Sequence, residues 1–234
     1  MKHYTTPPGA IPAVYLDMIQ QPHLLIAGAT GSGKSTVIHG IINAILYNAP
    51  CEKQLILIDS KRVELIEYSK LPHTIIRATE PRFIYGALAA AVNELERRFK
   101  RMEKTRSKLY TGSDIYIIID ELADLITTQK KTVITPLKRL AQLGRAAKIH
   151  LILATQRPTR DIVSGEIKVN IDARLALRCP TKQDSRNIIN TGGAELLPRY
   201  GYGYYLTPET IKPILTPLEM ISETEKNRLI KWWK

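Results

Sequence analysis

Between Leu24 and Leu206 the chain alternates two kinds of stretch. Short, nearly continuous apolar runs have the pattern of buried strands, and longer stretches with apolar residues every three or four positions have that of helices packed on one face. The strand candidates are Leu24–Ala27, Leu55–Asp59, Thr74–Arg77, Ile115–Asp120, His150–Thr155, Arg174–Arg178 and Gly203–Leu206, with Lys212–Leu215 as a further edge candidate. Several are nearly all apolar, as expected of strands covered on both faces. Helical stripes lie between them. One is Val37, Ile38, Ile41, Ile42, Ile45 and Leu46. A longer one starts around Thr79 and Pro81 and runs through Phe83, Ile84, Ala87, Leu88, Ala91, Val92, Leu95, Phe99 and Met102. A third helix is expected from Thr132 to Ala147, and a last one from Ser222, where Ser222 and Glu225 have capping-box spacing. Such alternation predicts βαβ units, hence an α/β fold with a mostly parallel central sheet flanked by helices. The Pro- and Thr-rich stretch from Met1 to Pro12 reads as a poorly ordered lead-in. No internal repeat divides the rest, so the expected organisation is a lead-in over 1–21 and one domain over 22–234.

The first strand runs into Gly28-Ala29-Thr30-Gly31-Ser32-Gly33-Lys34-Ser35, followed by Thr36 and the first apolar stripe. Glycine, four residues and Gly-Lys-Ser is the spacing of a P-loop, and strand–loop–helix is the context that it requires. Glycines let the backbone turn tightly, so that successive N–H groups converge on phosphate oxygens. The helix opening near Lys34 adds its positive end. Lys34 would set a mobile charge on the β/γ-phosphates and the Ser35 hydroxyl would ligate Mg²⁺. The segment therefore predicts binding of ATP or GTP.

A second apolar run, Ile115-Tyr116-Ile117-Ile118-Ile119, ends in Asp120-Glu121. Parallel sheets bind ligands at that edge. With a P-loop upstream the pair reads as a Walker B motif, Asp120 in the Mg²⁺ shell and Glu121 as general base on the attacking water. The adjacent glutamate favours hydrolysis over phosphoryl transfer to a metabolite. A third run, His150–Thr155, ends in Gln156-Arg157-Pro158. The Gln156 amide could report on a γ-phosphate or close a hydrogen-bonded turn before Pro158, and position alone leaves both open.

The 234 residues hold 34 Lys and Arg against 22 Asp and Glu, a formal net charge of +12. That exceeds what nucleotide phosphates require and points to a polyanionic partner, nucleic acid before anionic lipid. The run Arg97, Arg98, Lys100, Arg101, Lys104, Arg106 and Lys108 fits either a DNA track or, more commonly, the solvated side of a long helix. Cys51 and Cys179 stand in unrelated settings, so neither a disulfide framework nor a zinc site is expected. A reducing, cytoplasmic home is expected, with no apolar run near the ~20 residues of a membrane span and no cleavable leader.

Beyond the generic P-loop, a series of segments resembles the motor core of the FtsK/SpoIIIE DNA translocases. They are Pro22-His23-Leu24-Leu25-Ile26-Ala27-Gly28 through Ser35, Ile58-Asp59-Ser60-Lys61 with Glu64-Leu65, Asp120-Glu121-Leu122-Ala123-Asp124-Leu125, Arg145-Ala146-Ala147-Lys148-Ile149-His150-Leu151, Ala154-Thr155-Gln156-Arg157-Pro158 and Asp184-Ser185-Arg186. They follow the family's order from about Pro22 to Leu206. The resemblance implies a RecA-like P-loop NTPase, with the Gln156 strand between the P-loop and Walker B strands and Gln156 itself beside the γ-phosphate. It implies an ATP-dependent motor that assembles as a hexameric ring around double-stranded DNA, with ATP and Mg²⁺ at subunit interfaces. Each site then needs an arginine from the neighbour; Arg174 is the first choice, with Arg186 and Arg145 behind it. DNA-facing loops would follow Pro158, with Thr159, Arg160, Ser164, Gly165 and Lys168 as contacts suited to phosphates. Tyr200, Tyr202, Tyr204 and Tyr205 are assigned to packing.

The chain also departs from the family pattern. Membrane spans, a linker and a C-terminal winged helix have no room, and the connection before the Walker B strand is cut to about Lys104–Asp114. A compact motor of a mobile element, plasmid or virus is therefore expected, although a trimmed domain would look the same. A coupling ATPase for conjugation or a viral packaging ATPase is the alternative within the superfamily. A non-motor nucleotide enzyme, or a DNA-binding adaptor with a switch P-loop, fits Glu121 and the positive charge less well. A lone subunit is expected to bind ATP, to hydrolyse it poorly and to be monomeric until DNA or concentration assembles it.

Overall fold

The computed structural model describes residues 11–234 together with Pro7, so the lead-in expected over Met1–Pro12 lies almost wholly outside the described residues. In chain order the elements are α1 (Ala13–Gln20), β1 (His23–Ala27), α2 (Lys34–Leu46), β2 (Lys53–Ile58), β3 (Thr74–Ala78), α3 (Pro81–Thr105), β4 (Asp114–Ile119) and α4 (Leu122–Ala147). There follow β5 (Ile149–Thr155), α5 (Gly165–Lys168), β6 (Ala173–Ala176), α6 (Lys182–Ile189), β7 (Tyr202–Leu206), β8 (Ile214–Pro217) and α7 (Glu223–Trp233). The strands form one eight-stranded sheet in the order β3-β2-β4-β5-β1-β6-β7-β8. From β3 to β6 every pairing is parallel. β7 runs against both β6 and β8.

The central strands are apolar on both faces because both are roofed by helices. Leu24 and Ile26 of β1, with Tyr116 and Ile118 of β4, pack beneath α1, α2 and α7 through Met18, Ile41, Ile45 and Trp233. Leu25, Ile117 and Ile119 point the other way, against Leu88 and Leu95 of α3 and Leu137 and Leu140 of α4. β5 lies between β1 and β4, as the family resemblance implies. The C-terminal ends of these three strands therefore meet at one edge, where ligands of parallel sheets bind.

Three features differ from the sequence reading. The lead-in expected over 1–21 contains α1, whose Tyr15, Met18 and Ile19 are buried in the main core. α4 opens at Leu122, well before Thr132, and carries Pro136 inside. Its Thr- and Ile-rich first half has poor helix propensity, which the burial of Leu122, Leu125, Ile126 and Val133 overrides. Finally, Arg98 belongs to neither a solvated face nor a track. It is 2% exposed and donates to the carbonyls of Ser113 at 2.8 Å, Ala147 at 2.8 Å and Lys148 at 3.2 Å, with Glu94 at 2.8 Å on its Nε. Its guanidinium also lies 4.3 Å from the Tyr110 ring centroid. One buried cation thus ties α3 to the C-terminal end of α4 and to the approach to β4. Lys148 O also accepts from the Ile115 N–H at 2.9 Å, so Arg98→Ala would strip the Ser113 and Ala147 carbonyls of this donor, which lowers unfolding free energy by about 3 kcal/mol; urea unfolding followed by circular dichroism checks it.

Candidate nucleotide site

β1 delivers the chain into the loop 28–33, and α2 starts at Lys34. Gly33, at the N-cap of α2, has φ +93°, a backbone that a side chain would strain. A Cβ on Gly28 would lie 2.7 Å from Leu177 Cβ, so the loop fits against β6 only because that residue has none. The Gly28 N–H donates to Thr155 O at 3.3 Å and the Ala29 N–H to Arg178 O at 2.8 Å, which moors the loop to the strands on both sides. Ser32 Oγ is buried with no partner among the described residues.

β4 ends at Ile119, and Asp120 and Glu121 follow it directly. Lys34 Nζ sits 2.5 Å from Asp120 Oδ1 and 2.7 Å from Asp120 O, with the lysine 4% and the aspartate 1% exposed. Glu121 is equally buried, and its carboxylate is held from several directions. Thr155 Oγ1 donates to Oε1 at 2.8 Å, the Gln156 N–H reaches both oxygens at 3.1 and 3.2 Å, and Lys61 Nζ lies 3.4 Å from Oε2. It also caps α4 by accepting from the Ala123 N–H. Lys61 is aimed by Asp59, whose buried carboxylate accepts from the N–H groups of Lys61, Arg62 and Leu65 at 3.1, 2.8 and 3.1 Å. Gln156 spans the gap to the P-loop, because Thr30 Oγ1 donates to its Oε1 at 2.8 Å. Lys34, Asp120, Glu121 and Gln156, chosen from three separate sequence segments, therefore stand together.

The sequence model of the FtsK/SpoIIIE family matches residues 10–114 and 102–160 in overlapping stretches. The chain belongs to the FtsK/SpoIIIE family. It is 40% identical over 240 residues to the DNA translocase FtsK of Halalkalibacterium halodurans, a match covering 94% of this chain and 30% of that protein. It is 38% identical over 239 residues to the DNA translocase SpoIIIE of Bacillus subtilis, covering 93% of this chain and 30% of that one. This chain thus spans about a third of the length of these relatives. Among solved structures, the pCW3 conjugation coupling protein TcpA, in a monomer form with ATPγS, superposes with a TM-score of 0.80 at 24% identity, over 93% of this chain and 66% of that one. That likeness bears on the fold alone: α/β, with a mostly parallel sheet flanked by helices.

Other candidates carried over from the FtsK/SpoIIIE motifs lie around this centre. After Pro158 the chain is anchored by buried Ile162, Val163 and Ile167, which leaves Thr159, Arg160 and Gly165 exposed, with Ser164 at the N-cap of α5 and Lys168 half-buried. Arg160, Gly165 and Lys168 line a cleft of about 480 Å³ together with Gln183, Arg186 and Asn187. Burial, then the Arg174 and Arg160 cations, holds the Lys168 ammonium below its ordinary pKa. Arg186, weighed above only as a finger, is thus a neighbour of the expected DNA-facing residues.

Arg174, the first choice for the neighbour's arginine, is held by its own chain. It is 7% exposed, and its guanidinium donates to Lys168 O at 2.8 Å, Ile171 O at 2.9 Å and Ile188 O at 3.4 Å. In this arrangement the guanidinium braces its own chain. Arg145 is exposed, on the last turn of α4, and its guanidinium has no hydrogen bond or ion pair among the described residues. Sequence reasoning gave no role to Lys61, Thr155 or Asp59, although Asp59-Ser60-Lys61 had been matched to the family. Tyr200, assigned to packing, is 52% exposed and lies beside the P-loop.

The Lys34–Asp120 pair has a consequence for stability in the absence of nucleotide. Lys34→Ala leaves a buried carboxylate without its counter-charge, so unfolding free energy falls by about 3 kcal/mol. Lys34→Ala with Asp120→Ala recovers part of that loss, and a double-mutant cycle by urea denaturation reads the coupling.

Proposed function

We propose that this chain is the ATPase motor domain of a double-stranded DNA translocase, working as a hexameric ring with ATP hydrolysed at the subunit interfaces. The observation that carries the reading is the continuity of one segment. Thr155 and Gln156 at the end of β5 hold Glu121 and touch the P-loop, and the next residues build the basic cleft of Arg160, Lys168 and Arg186. Asn187 of α6 donates to Pro158 O at 2.9 Å, so the turn between the two is braced from the cleft side. A change at the γ-phosphate end has a short, packed route to the cationic surface.

Within that reading the residues take distinct tasks. Backbone N–H groups of 28–33 cradle the phosphates, and Lys34 exchanges Asp120 for phosphate oxygens as nucleotide enters. Glu121 accepts a proton from the attacking water, with Gln156 and Thr155 orienting its carboxylate. Ser35 and Asp120 offer a hydroxyl and a carboxylate, the hard oxygen donors that suit Mg²⁺, and the unpartnered Ser32 hydroxyl leaves a further polar group in the loop. Among the described residues no group of three or more His, Cys, Asp and Glu could hold a metal alone, so nucleotide phosphates would share its coordination. When bound, the ion supplies positive charge to the β- and γ-oxygens. Thr159, Ser164 and Gly165 join Arg160 and Lys168 in backbone contacts that hold without reading sequence.

The domain core takes in α1, so the motor unit begins before residue 22. Among the described residues no helix is long and apolar enough to cross a membrane, and the free thiols of Cys51 and Cys179 suit a reducing, cytoplasmic setting. Coupling and packaging ATPases would use the same chemistry and differ in where DNA is delivered.

ATP turnover measured with no DNA, single strands or duplex is the test. Duplex should stimulate hydrolysis, and the DNA affinity behind that stimulation should fall about a thousandfold between roughly 50 and 200 mM salt, because counterion release drives binding. Turnover indifferent to every nucleic acid would overturn the reading.

For the neighbour's arginine the reading moves to Arg145. In a head-to-tail ring the donating and receiving surfaces must be different patches. Arg145 stands at the N-terminal edge of the strands, opposite its own P-loop, whereas Arg186 shares the basic cleft. Arg145→Ala should lower DNA-stimulated turnover about a thousandfold while ATP binding by the isolated subunit is retained. Near-normal turnover removes Arg145 from the role.

A further inference from the structure

Two side chains that no family motif singled out stand over the P-loop. Arg199 Nε donates to Gly31 O at 3.3 Å, and a Cβ on Gly31 would meet Arg199 Nη2 at 2.8 Å. The Tyr200 ring lies 3.8 Å from where a Gly33 Cβ would be. The guanidinium is 5.4 Å from the Tyr200 ring centroid, so the two side chains travel as a pair.

The segment that presents them is pinned at both ends. The Cys179 N–H donates to Ala194 O at 3.1 Å, Ala194 N–H to Ser185 Oγ at 3.1 Å, and Leu218 N–H to Gly201 O at 2.9 Å, with Leu197 buried between. The exposed faces of Arg199 and Tyr200 are therefore held against the loop by backbone contacts, not by their own burial. The aromatic ring is 52% exposed and borders the loop 28–33. Beside it stands a planar cation whose contact with the chain is to a carbonyl, so no carboxylate competes for it.

We propose that Arg199 and Tyr200 complete the nucleotide site from within the same subunit, Tyr200 as the platform on which the nucleobase stacks and Arg199 as a second cation on the phosphates. This rests on the nucleotide reading above and adds the nucleoside end, which the P-loop does not reach. A phosphate chain on the loop brings its base out along the rim of Gly31 and Gly33, where the ring stands. Arg199 can turn from the Gly31 carbonyl to phosphate oxygens without leaving a buried group unpaired, since this contact is exposed.

Calorimetric titration of the full chain with Mg²⁺–ATP and, separately, Mg²⁺–tripolyphosphate separates the two roles. Tyr200→Ala should weaken ATP about tenfold, the size of one base–aromatic stack, with tripolyphosphate unchanged and Tyr200→Phe close to wild type. Arg199→Ala should weaken both ligands. Thermal unfolding should be unaltered in all three variants, because both side chains are exposed. Equal ATP affinity in Tyr200→Ala, or equal losses of ATP and tripolyphosphate, overturns the stacking role; Arg199→Ala indifferent to both ligands overturns the charge role. A wild-type chain that binds neither ligand overturns the nucleotide reading and this inference with it, whereas an indifferent variant on a binding wild type overturns the inference alone.

Discussion

The pair of buried charges at the base of the P-loop is the constraint on which the site depends. Lys34 and Asp120 meet at 2.5 Å with almost no exposure, and neither could lie there alone without a large desolvation penalty. The pair can form only if β1 and β4 end at the same level on either side of one intervening strand, and the sheet order supplies that arrangement. β5 then has to finish in residues that satisfy its neighbours. Thr155 and Gln156 do so by donating to Glu121, and the Gln156 side chain accepts from Thr30. The centre is therefore a closed set of polar groups with few alternatives, which makes it responsive. Any ligand that draws Lys34 away from Asp120 disturbs a group set among the ends of β1, β4 and β5.

Much of this was legible because it is local. Each strand candidate has its counterpart, since apolar runs roofed on both faces need no long-range information. The P-loop and Asp120-Glu121 are short motifs whose spacing carries the mechanism. α1 was missed because it is only eight residues long, follows a Pro-rich stretch, and its N-cap, Pro12, offers no side-chain hydrogen bond. The first ten residues of α4 were missed because burial, not propensity, makes them helical. Arg98 was misplaced for a similar reason: Arg97 and Lys100 beside it are exposed cations, and only the fold shows that its own position faces three carbonyls.

The site's non-local half could not be read in the same way. Lys61 reaches Glu121 across 60 residues and Arg199 reaches Gly31 across 168. No periodicity encodes such meetings, which follow from neighbouring strands and from where the loops beyond them return. The tyrosines illustrate the limit. Alternation along β7 explains Tyr205, which is buried, but Tyr200 precedes the strand and is placed by backbone contacts at Ala194 and Gly201.

Arg174 shows how a correct motif can carry a different task. Its three acceptors belong to α5, to the turn before β6 and to α6, which are the pieces that frame the basic cleft. Carbonyls at the ends of short helices are unsatisfied by the helix itself, so a buried planar cation with several fixed donors is well suited to gather them. That use keeps Lys168 and Asn187 in register with the turn at Pro158, and through it with Gln156. An arginine placed in this way braces the cleft to the segment that ends at the P-loop.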